Sequence, residues 1–252
     1  MKIYGFRVPL MASLIVWIAL WEVIGRTGAA LVLPPFSSVV ERMVEIVPTP
    51  TFLKALAMTG EAYLIGNLIA IGIGVPVGVL MGRSVVADRL LLPWVNIFLS
   101  APLSALVPVI MVLFGLGMTT IVLTVVLFAV WIIVLDARAG VRGISPSLVE
   151  MARSYGATPL QAFAKIYLWA ALPEILAGIR LGCIRAVKGV IIGQLLVSIV
   201  GFGHLFEIYF SNFLMEHFWA LVLTLFAFAF AIAEGLGYLE RRVEYYASSR
   251  QQ

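Results

Sequence analysis

The chain has 252 residues, of which 62% are hydrophobic and only 12% are charged, and its mean hydropathy is +1.08. Soluble domains contain about 45–50% apolar residues, so this composition excludes a soluble globular domain and indicates an integral membrane protein. One cysteine cannot form an internal disulfide, and two histidines provide no cluster with metal-ligand spacing, so we expect no metal site. The net charge of +4 indicates basic cytoplasmic loops of a membrane protein and not a nucleic-acid partner.

Apolar segments dominate the chain, and a helix needs about 20 mostly apolar residues to cross a bilayer. Six stretches meet or approach that length: 8–25, 59–82, 91–114, 118–136, 178–200 and 218–238. The first follows Lys2 and Arg7 as a signal peptide would, but no clean small-residue cleavage site follows it, so we expect a retained span. The sequence therefore predicts an all-α integral membrane protein of about six transmembrane helices, in one domain covering residues 1–252.

The segment after the first span is short and amphipathic. Apolar residues recur there at helical spacing after Leu33–Ser38: Val39, Val40, Met43, Val44 and Val47. This pattern predicts an interfacial helix at the membrane surface, between the first two spans.

Small residues and prolines mark the next spans. Glycines repeat every fourth residue in the second span, at Gly74, Gly78 and Gly82. Such a stripe permits close helix approach, and packing within the subunit is favoured over a subunit interface. Prolines fall at the start of the third span or inside it, at Pro93, Pro102 and Pro108. They remove backbone donors, so we expect kinks and freed carbonyl groups there.

Basic residues are distributed unequally across the membrane. With the N-terminus inside, twelve lie in inner segments: Lys2, Arg7, Arg83, Arg89, Arg138, Arg142, Arg153, Lys165, Arg180, Arg241, Arg242 and Arg250. Only Arg26, Arg42 and Lys54 fall outside. The asymmetry predicts cytoplasmic termini and places the long polar loop, residues 136–177, in the cytoplasm.

That loop contains two short predicted helices. Ser145 and Pro146 provide an N-cap and an N1 proline for the first, and Gly156 can take the left-handed conformation that ends it. Thr158 and Gln161 have the spacing of a capping box for the second. We call residues 145–168 the elbow. A DNA-binding helix-turn-helix has similar local signals, but both ends here run into apolar spans; an ordinary loop is the other alternative.

The elbow carries the spacing E-x-A-x3-G-x9-I-x-L, formed by Glu150, Ala152, Gly156, Ile166 and Leu168. This resembles the EAA loop of the permease subunits of bacterial ABC importers. Further motifs resemble the sulfonate, taurine and nitrate branch of that family: Pro34 to Ser37, Phe114-Gly115-Leu116-Gly117 and Gly201-Phe202-Gly203. The resemblance implies a type I importer fold in which these five elbow residues form the coupling helix region that contacts an ATPase.

The same resemblance implies the assembly and its location. The partners would be a second permease copy forming a homodimer, two cytoplasmic ATPase subunits, a periplasmic or lipid-anchored solute-binding protein, and membrane lipid. The location would be the bacterial cytoplasmic (inner) membrane. The chain has no phosphate-cradling G-x4-G-K-S/T sequence, so we expect it to be no enzyme and to bind no cofactor. ATP and Mg²⁺ would be bound by the partner ATPases.

Candidate residues of the translocation pathway lie in the third and fifth spans. Arg185 and Lys188 share a helix face, and a basic side chain at such depth costs about 2.5–3.5 kcal/mol unless it is paired or hydrated. They could meet an anionic substrate; snorkelling to the cytoplasmic headgroups is the alternative, because both fall in the inner half of the predicted span. Gln194, where the family commonly has glutamate, and Pro102 and Pro108 complete the predicted pathway set.

Two other functional classes share part of this pattern. An ion-coupled secondary transporter has the same composition and could use Arg185 or Lys188, but it needs neither the elbow nor an ATPase. A membrane-embedded enzyme would need paired carboxylates, a histidine cluster or an activated serine within the spans. The sequence contains no such constellation, so an importer permease for a small solute, for example an organic anion, is the predicted function.

Overall fold

A computed structural model of the chain describes residues 2–3, 6–7, 10–28, 31–197 and 200–248. Two short strands, β1 (Lys2–Ile3) and β2 (Phe6–Arg7), pair antiparallel before the first helix. The helices are α1 (Leu10–Thr27), α2 (Phe36–Ile46), α3 (Pro50–Arg83), α4 (Val85–Ser100), α5 (Val107–Phe114), α6 (Met118–Arg142), α7 (Pro146–Ser154), α8 (Pro159–Ala162), α9 (Leu168–Val197), α10 (Gly201–Ser211) and α11 (Met215–Ser248). A 3₁₀ turn at Leu103–Leu106 precedes α5, and a π-helical segment at Phe163–Tyr167 precedes α9.

The apolar helices are long enough to cross a membrane. Three described helices qualify unbroken, Pro50–Arg83, Met118–Arg142 and Met215–Gly235, and two bent pairs qualify as further spans, which gives up to five. The first predicted span corresponds to α1, an 18-residue helix outside those five. The helical membrane class predicted from composition is therefore confirmed.

Helix α6 forms the centre of the bundle and packs between α3 and α9. On the α3 side, a Cβ built on Gly78 would lie 2.5 Å from the carbonyl oxygen of Val134. On the α9 side, a Cβ built on Gly182 would lie 2.5 Å from the Ile133 side chain. Side chains are therefore excluded at both contacts. The glycine stripe of the second span packs within the subunit, as predicted.

The third predicted span is not one continuous helix. Helix α4 ends at Ser100, and the chain then bends by 98° before it reaches α5. Pro102 lies at the break, where it cannot donate the backbone bond that would continue α4. Pro93 lies inside α4 without ending it. The fifth predicted span is also longer than expected, because α9 begins at Leu168, directly after the π segment.

The helix predicted after the first span is confirmed as α2, and side chains of other helices fix it. Its location at the membrane surface remains a prediction. The carboxylate of Glu22 in α1 accepts bonds of 2.9 Å from both the backbone N–H and the hydroxyl of Ser37, in the first turn of α2. A carboxylate at this end also interacts favourably with the helix dipole. Arg42 of α2 bonds Glu216 at the start of α11 at 3.1 Å. Helix α2 thus joins α1 to α11.

Candidate functional site

The first half of the elbow is α7, which ends in a glycine-dependent cap. Gly156 has φ of +72°, which is accessible to glycine with little strain. Its N–H bonds the Arg153 carbonyl at 2.9 Å, and the Ala157 N–H bonds the Ala152 carbonyl at 3.0 Å. This pair of bonds is a Schellman motif, which satisfies the last carbonyls of a helix. The predicted role of Gly156 in ending the helix is confirmed.

The second half begins with the predicted capping box. The Thr158 N–H donates to Oε1 of Gln161 at 2.9 Å, and the Gln161 N–H donates to Oγ1 of Thr158 at 3.3 Å. Each side chain therefore satisfies the backbone of the other. The first predicted cap differs: Ser145 occupies the N-cap position, but its hydroxyl lies 2.7 Å from the hydroxyl of Ser147 and does not bond the helix backbone.

The five predicted coupling residues differ in exposure. Glu150 and Gly156 are exposed, Leu168 is 40% exposed, Ile166 is half-buried and Ala152 is buried. Helix α7 packs on α8 and the π segment, so the buried Ala152 belongs to the packing within the elbow, whereas the others leave atoms available to a partner. The coupling role of all five remains a prediction.

Two further elbow residues present large exposed surfaces. Tyr155 is 86% exposed and Met151 is 49% exposed. Exposed aromatic and apolar side chains on a polar loop are typical of interaction sites. Both residues lie inside the Glu150–Gly156 stretch, but its family spacing does not include them; their apolar character within a polar loop is the available sequence signal.

The C-terminal end of α3 contacts the elbow, and the first turn of α4 contacts the end of α6, through residues that the sequence did not identify. The guanidinium of Arg83 lies over the rings of Phe163 and Tyr167, 4.8 Å and 5.5 Å from their centroids. Asp88 is 6% exposed and pairs with Arg138 and Arg142 at the end of α6. No local pattern in the sequence indicates these partners.

The two predicted pathway cations lie at mid-height in the bundle. Arg185 and Lys188 are exposed on α9, between Gly182 and Gly189, which face the middle turns of α6. Helix α9 begins earlier than predicted, and the location of both residues in the inner half of the span remains a prediction. Arg185 also lies close enough to Asp136 of α6 for an electrostatic interaction.

The other pathway candidates have different surroundings. Gln194 is 2% exposed, and its side-chain amide bonds the hydroxyl of Thr59. Pro102 and Pro108 are both exposed, at the break before α5 and in its first turn. In the described part of the chain, no three His, Cys, Asp or Glu side chains are grouped to hold a metal ion.

The sequence is similar to a family of transport proteins and to individual members of transport systems. The profile of the family described as "Binding-protein-dependent transport system inner membrane component" matches residues 74–245. The aliphatic sulfonates transport permease protein SsuC of Bacillus subtilis is 30% identical over 206 residues, which cover 81% of this chain and 74% of that protein. The taurine transport system permease protein TauC of Escherichia coli is 26% identical over 240 residues, 92% of this chain and 87% of that protein.

Solved structures show the same similarity in fold. A chain of the MetNI methionine ABC transporter in an inward-facing conformation superposes with a TM-score of 0.59 at 26% identity, covering 77% of this chain and 94% of that one. A second crystal form of the same transporter gives a TM-score of 0.58 at 24% identity, with the same coverage.

Proposed function

Because this chain belongs to the family of binding-protein-dependent transport system inner membrane components, we propose that its elbow docks on a cytoplasmic ATPase while its spans carry a small organic anion. The chain is a permease subunit of an ABC importer of the inner membrane. Such subunits work with ATPase subunits and a solute-binding protein. The remaining paragraphs develop the docking site, the pathway and the assembly.

The docking proposal is carried by the surface of the elbow. A rigid turn at Gly156, closed by the Schellman bonds, presents Met151 and Tyr155 beside the exposed Glu150. Large apolar side chains on a rigid turn can enter a pocket of a partner with little loss of conformational freedom. We propose that the surface formed by Glu150, Met151, Tyr155 and Gly156 contacts the ATPase, with Ile166 and Leu168 supporting its second half and Ala152 its buried side.

The pathway proposal rests on the two cations of α9. Arg185 and Lys188 are exposed at the middle of an apolar bundle, where lipid would be a costly environment for a charge. A hydrated path between two permease copies would surround these two cations with water and would bring an anionic solute to them. The names of the relatives SsuC and TauC refer to sulfonates and taurine. We therefore propose a sulfonate or a similar small organic anion as the substrate.

The proposed assembly contains two copies of this chain, as a homodimer, and two ATPases. The ATPases bind ATP and Mg²⁺, and both termini of each permease chain lie in the cytoplasm. Closure of the ATPases on ATP would displace the two elbows, rotate the attached spans and open the path outward. ATP hydrolysis would return the elbows and the attached spans to their starting arrangement. This is a rigid-body switch between two states, with the solute-binding protein delivering substrate at the outer face.

A pull-down from mild detergent tests the docking site. The tagged chain, co-expressed with its neighbouring genes, would be compared with Gly156→Glu, and bound ATPase activity would be assayed. Gly143→Glu is the matched control, because Gly143 is an exposed loop glycine with φ of −75° that precedes the elbow. We expect ATPase with the native chain and with the control, and none with Gly156→Glu. Absence of ATPase from all three would contradict the importer assembly.

A further inference from the structure

The joint between α3 and α4 is a corner made by one residue. The Ser84 N–H bonds the Leu80 carbonyl at 2.9 Å and ends α3, while its hydroxyl accepts a 3.2 Å bond from the Ala87 N–H and begins α4. The Asp88 N–H then bonds the Ser84 carbonyl at 2.9 Å. Because no flexible residue separates the two helices, Arg83 and Asp88 are held in a fixed relation on opposite sides of the corner.

The Asp88 side of the corner binds the end of α6. Nε of Arg138 bonds one carboxylate oxygen of Asp88, and the other oxygen accepts from Arg138 at 3.1 Å and from Arg142 at 2.7 Å. Both Asp88 and Arg138 are largely buried, with side chains 9% and 16% exposed. Paired bonds between a guanidinium and a carboxylate fix orientation as well as distance. The chain enters the elbow at Ser145, three residues after Arg142.

The Arg83 side of the corner contacts the second half of the elbow. Its guanidinium lies over Phe163 and Tyr167, which are the first and last residues of the π segment. This segment follows the capping box and leads directly into α9. A cation over two aromatic faces is favourable, more so where water is partly excluded. The corner therefore contacts the elbow near the point where the chain leaves it, through Arg83, and the end of α6 just before the chain enters the elbow, through Asp88.

We propose that this corner is a clamp that transmits displacement of the elbow to α4 and α5, with Arg83 and Asp88 as its positioning residues. The proposal rests on the docking of an ATPase at the elbow. A displacement of the elbow would reach α3 directly through Arg83, and it would reach α4 through the end of α6 and its bonds to Asp88. Helix α4 leads to the 98° bend and then to α5, and Leu116 follows the C-terminal end of α5. The bent pair is thus the element that the clamp would move.

The clamp makes a prediction about local opening of the elbow. Hydrogen bonds to charged groups are strong enough that losing them should raise amide exchange in residues 146–168 by about tenfold or more. The native permease chain, purified from membranes into nanodiscs, would be compared with Asp88→Asn and Arg83→Gln. Arg89→Gln is the matched control, because Arg89 is exposed and lies one residue from Asp88. If Asp88→Asn does not fold, Arg142→Gln replaces it as the test variant, because it removes only the bond between Arg142 and Asp88.

Transmission is measured at the far end of α5 in the same complexes. Cys183 is the only cysteine, so a Cys183→Ala background allows a single bimane label at Leu116→Cys, a position 56% exposed. Addition of ATP with vanadate should change the label's fluorescence in the native sequence and in Arg89→Gln. In the clamp variants the ATPase should still bind and hydrolyse ATP, but the fluorescence change should be lost.

The outcomes separate the two proposals. Unchanged amide exchange in the variants, or a retained fluorescence response, would overturn the clamp while leaving ATPase docking intact. Absence of bound ATPase from the native chain would overturn the docking proposal and the transmitting role together, whatever the exchange rates. Faster exchange together with a lost response, at normal ATPase binding, would support the clamp.

Discussion

The side-chain amide of Gln194 in α9 donates a 2.8 Å hydrogen bond to the hydroxyl of Thr59 in α3, across 135 residues of sequence. Thr59 donates in turn to the Ala55 carbonyl at 2.8 Å. The same glutamine lies against α10, since a Cβ built on Gly203 would be 1.9 Å from its backbone oxygen. One buried polar residue therefore joins three helices near the C-terminal end of α9.

Thr59→Val should destabilise the permease by about 1–3 kcal/mol, because it leaves the buried Gln194 amide without its partner. Thr119→Val is the control, since Thr119 is an exposed threonine on α6. Thermal unfolding in one detergent would compare the two variants. Equal midpoints would show that the Thr59 bond contributes nothing to stability.

Gly78→Ala should cost about 1–3 kcal/mol by overpacking, because its Cβ would lie 2.5 Å from the Val134 carbonyl oxygen and 2.7 Å from the Ala137 Cβ. Gly72→Ala on the same helix meets no atom within 4 Å. This control should gain about 0.5–1 kcal/mol from reduced backbone entropy. Unfolding in denaturant would measure both, and a stable Gly78→Ala protein would contradict the close contact of α3 and α6.

Thr158→Ala should destabilise the start of α8 by about 0.5–2 kcal/mol, because it removes the cap of the Gln161 N–H. Thr158→Ser keeps the hydroxyl and is the control. Amide exchange of residues 159–168 would report the loss, and we expect faster exchange with the alanine variant only. Native exchange rates in Thr158→Ala would show that neighbouring contacts hold this turn without the cap.

Uptake of a sulfonate should fall by about tenfold or more in Arg185→Gln/Lys188→Gln, since charge-assisted bonds to an anion would be lost. Lys54→Gln, which removes an exposed charge near the N-terminal end of α3, is the control. Taurine uptake into proteoliposomes containing the complete transporter would be measured, with ATPase binding checked in each variant. Undiminished uptake would exclude these side chains from the pathway.

Local signals in the sequence were sufficient to predict the turns of the elbow. The Schellman end at Gly156 and the capping box of Thr158 and Gln161 depend on residues within five positions of one another. Such bonds form between neighbours along the chain, so their spacing can be read directly. The side-chain cap expected from Ser145 failed for a similarly local reason, since its hydroxyl bonds Ser147 instead.

The sequence was less informative about breaks in the spans. It predicted kinks at three prolines, but only Pro102 lies at a break, whereas Pro93 lies inside α4. Hydropathy does not distinguish these cases, because both prolines lie in apolar surroundings. Packing of α4 and α5 against their neighbours decides which proline ends a helix.

By itself, the sequence determined the membrane class and the local turns of the elbow, because hydrophobic content and capping are properties of short segments. The tertiary structure alone decided that Asp88 pairs with Arg138 across 50 residues, that Arg83 covers Phe163 and Tyr167, and that Gln194 is buried beside Thr59. These contacts depend on how α3, α6 and α9 pack. Helix packing brings distant residues together through shape, and single-sequence patterns do not encode that geometry.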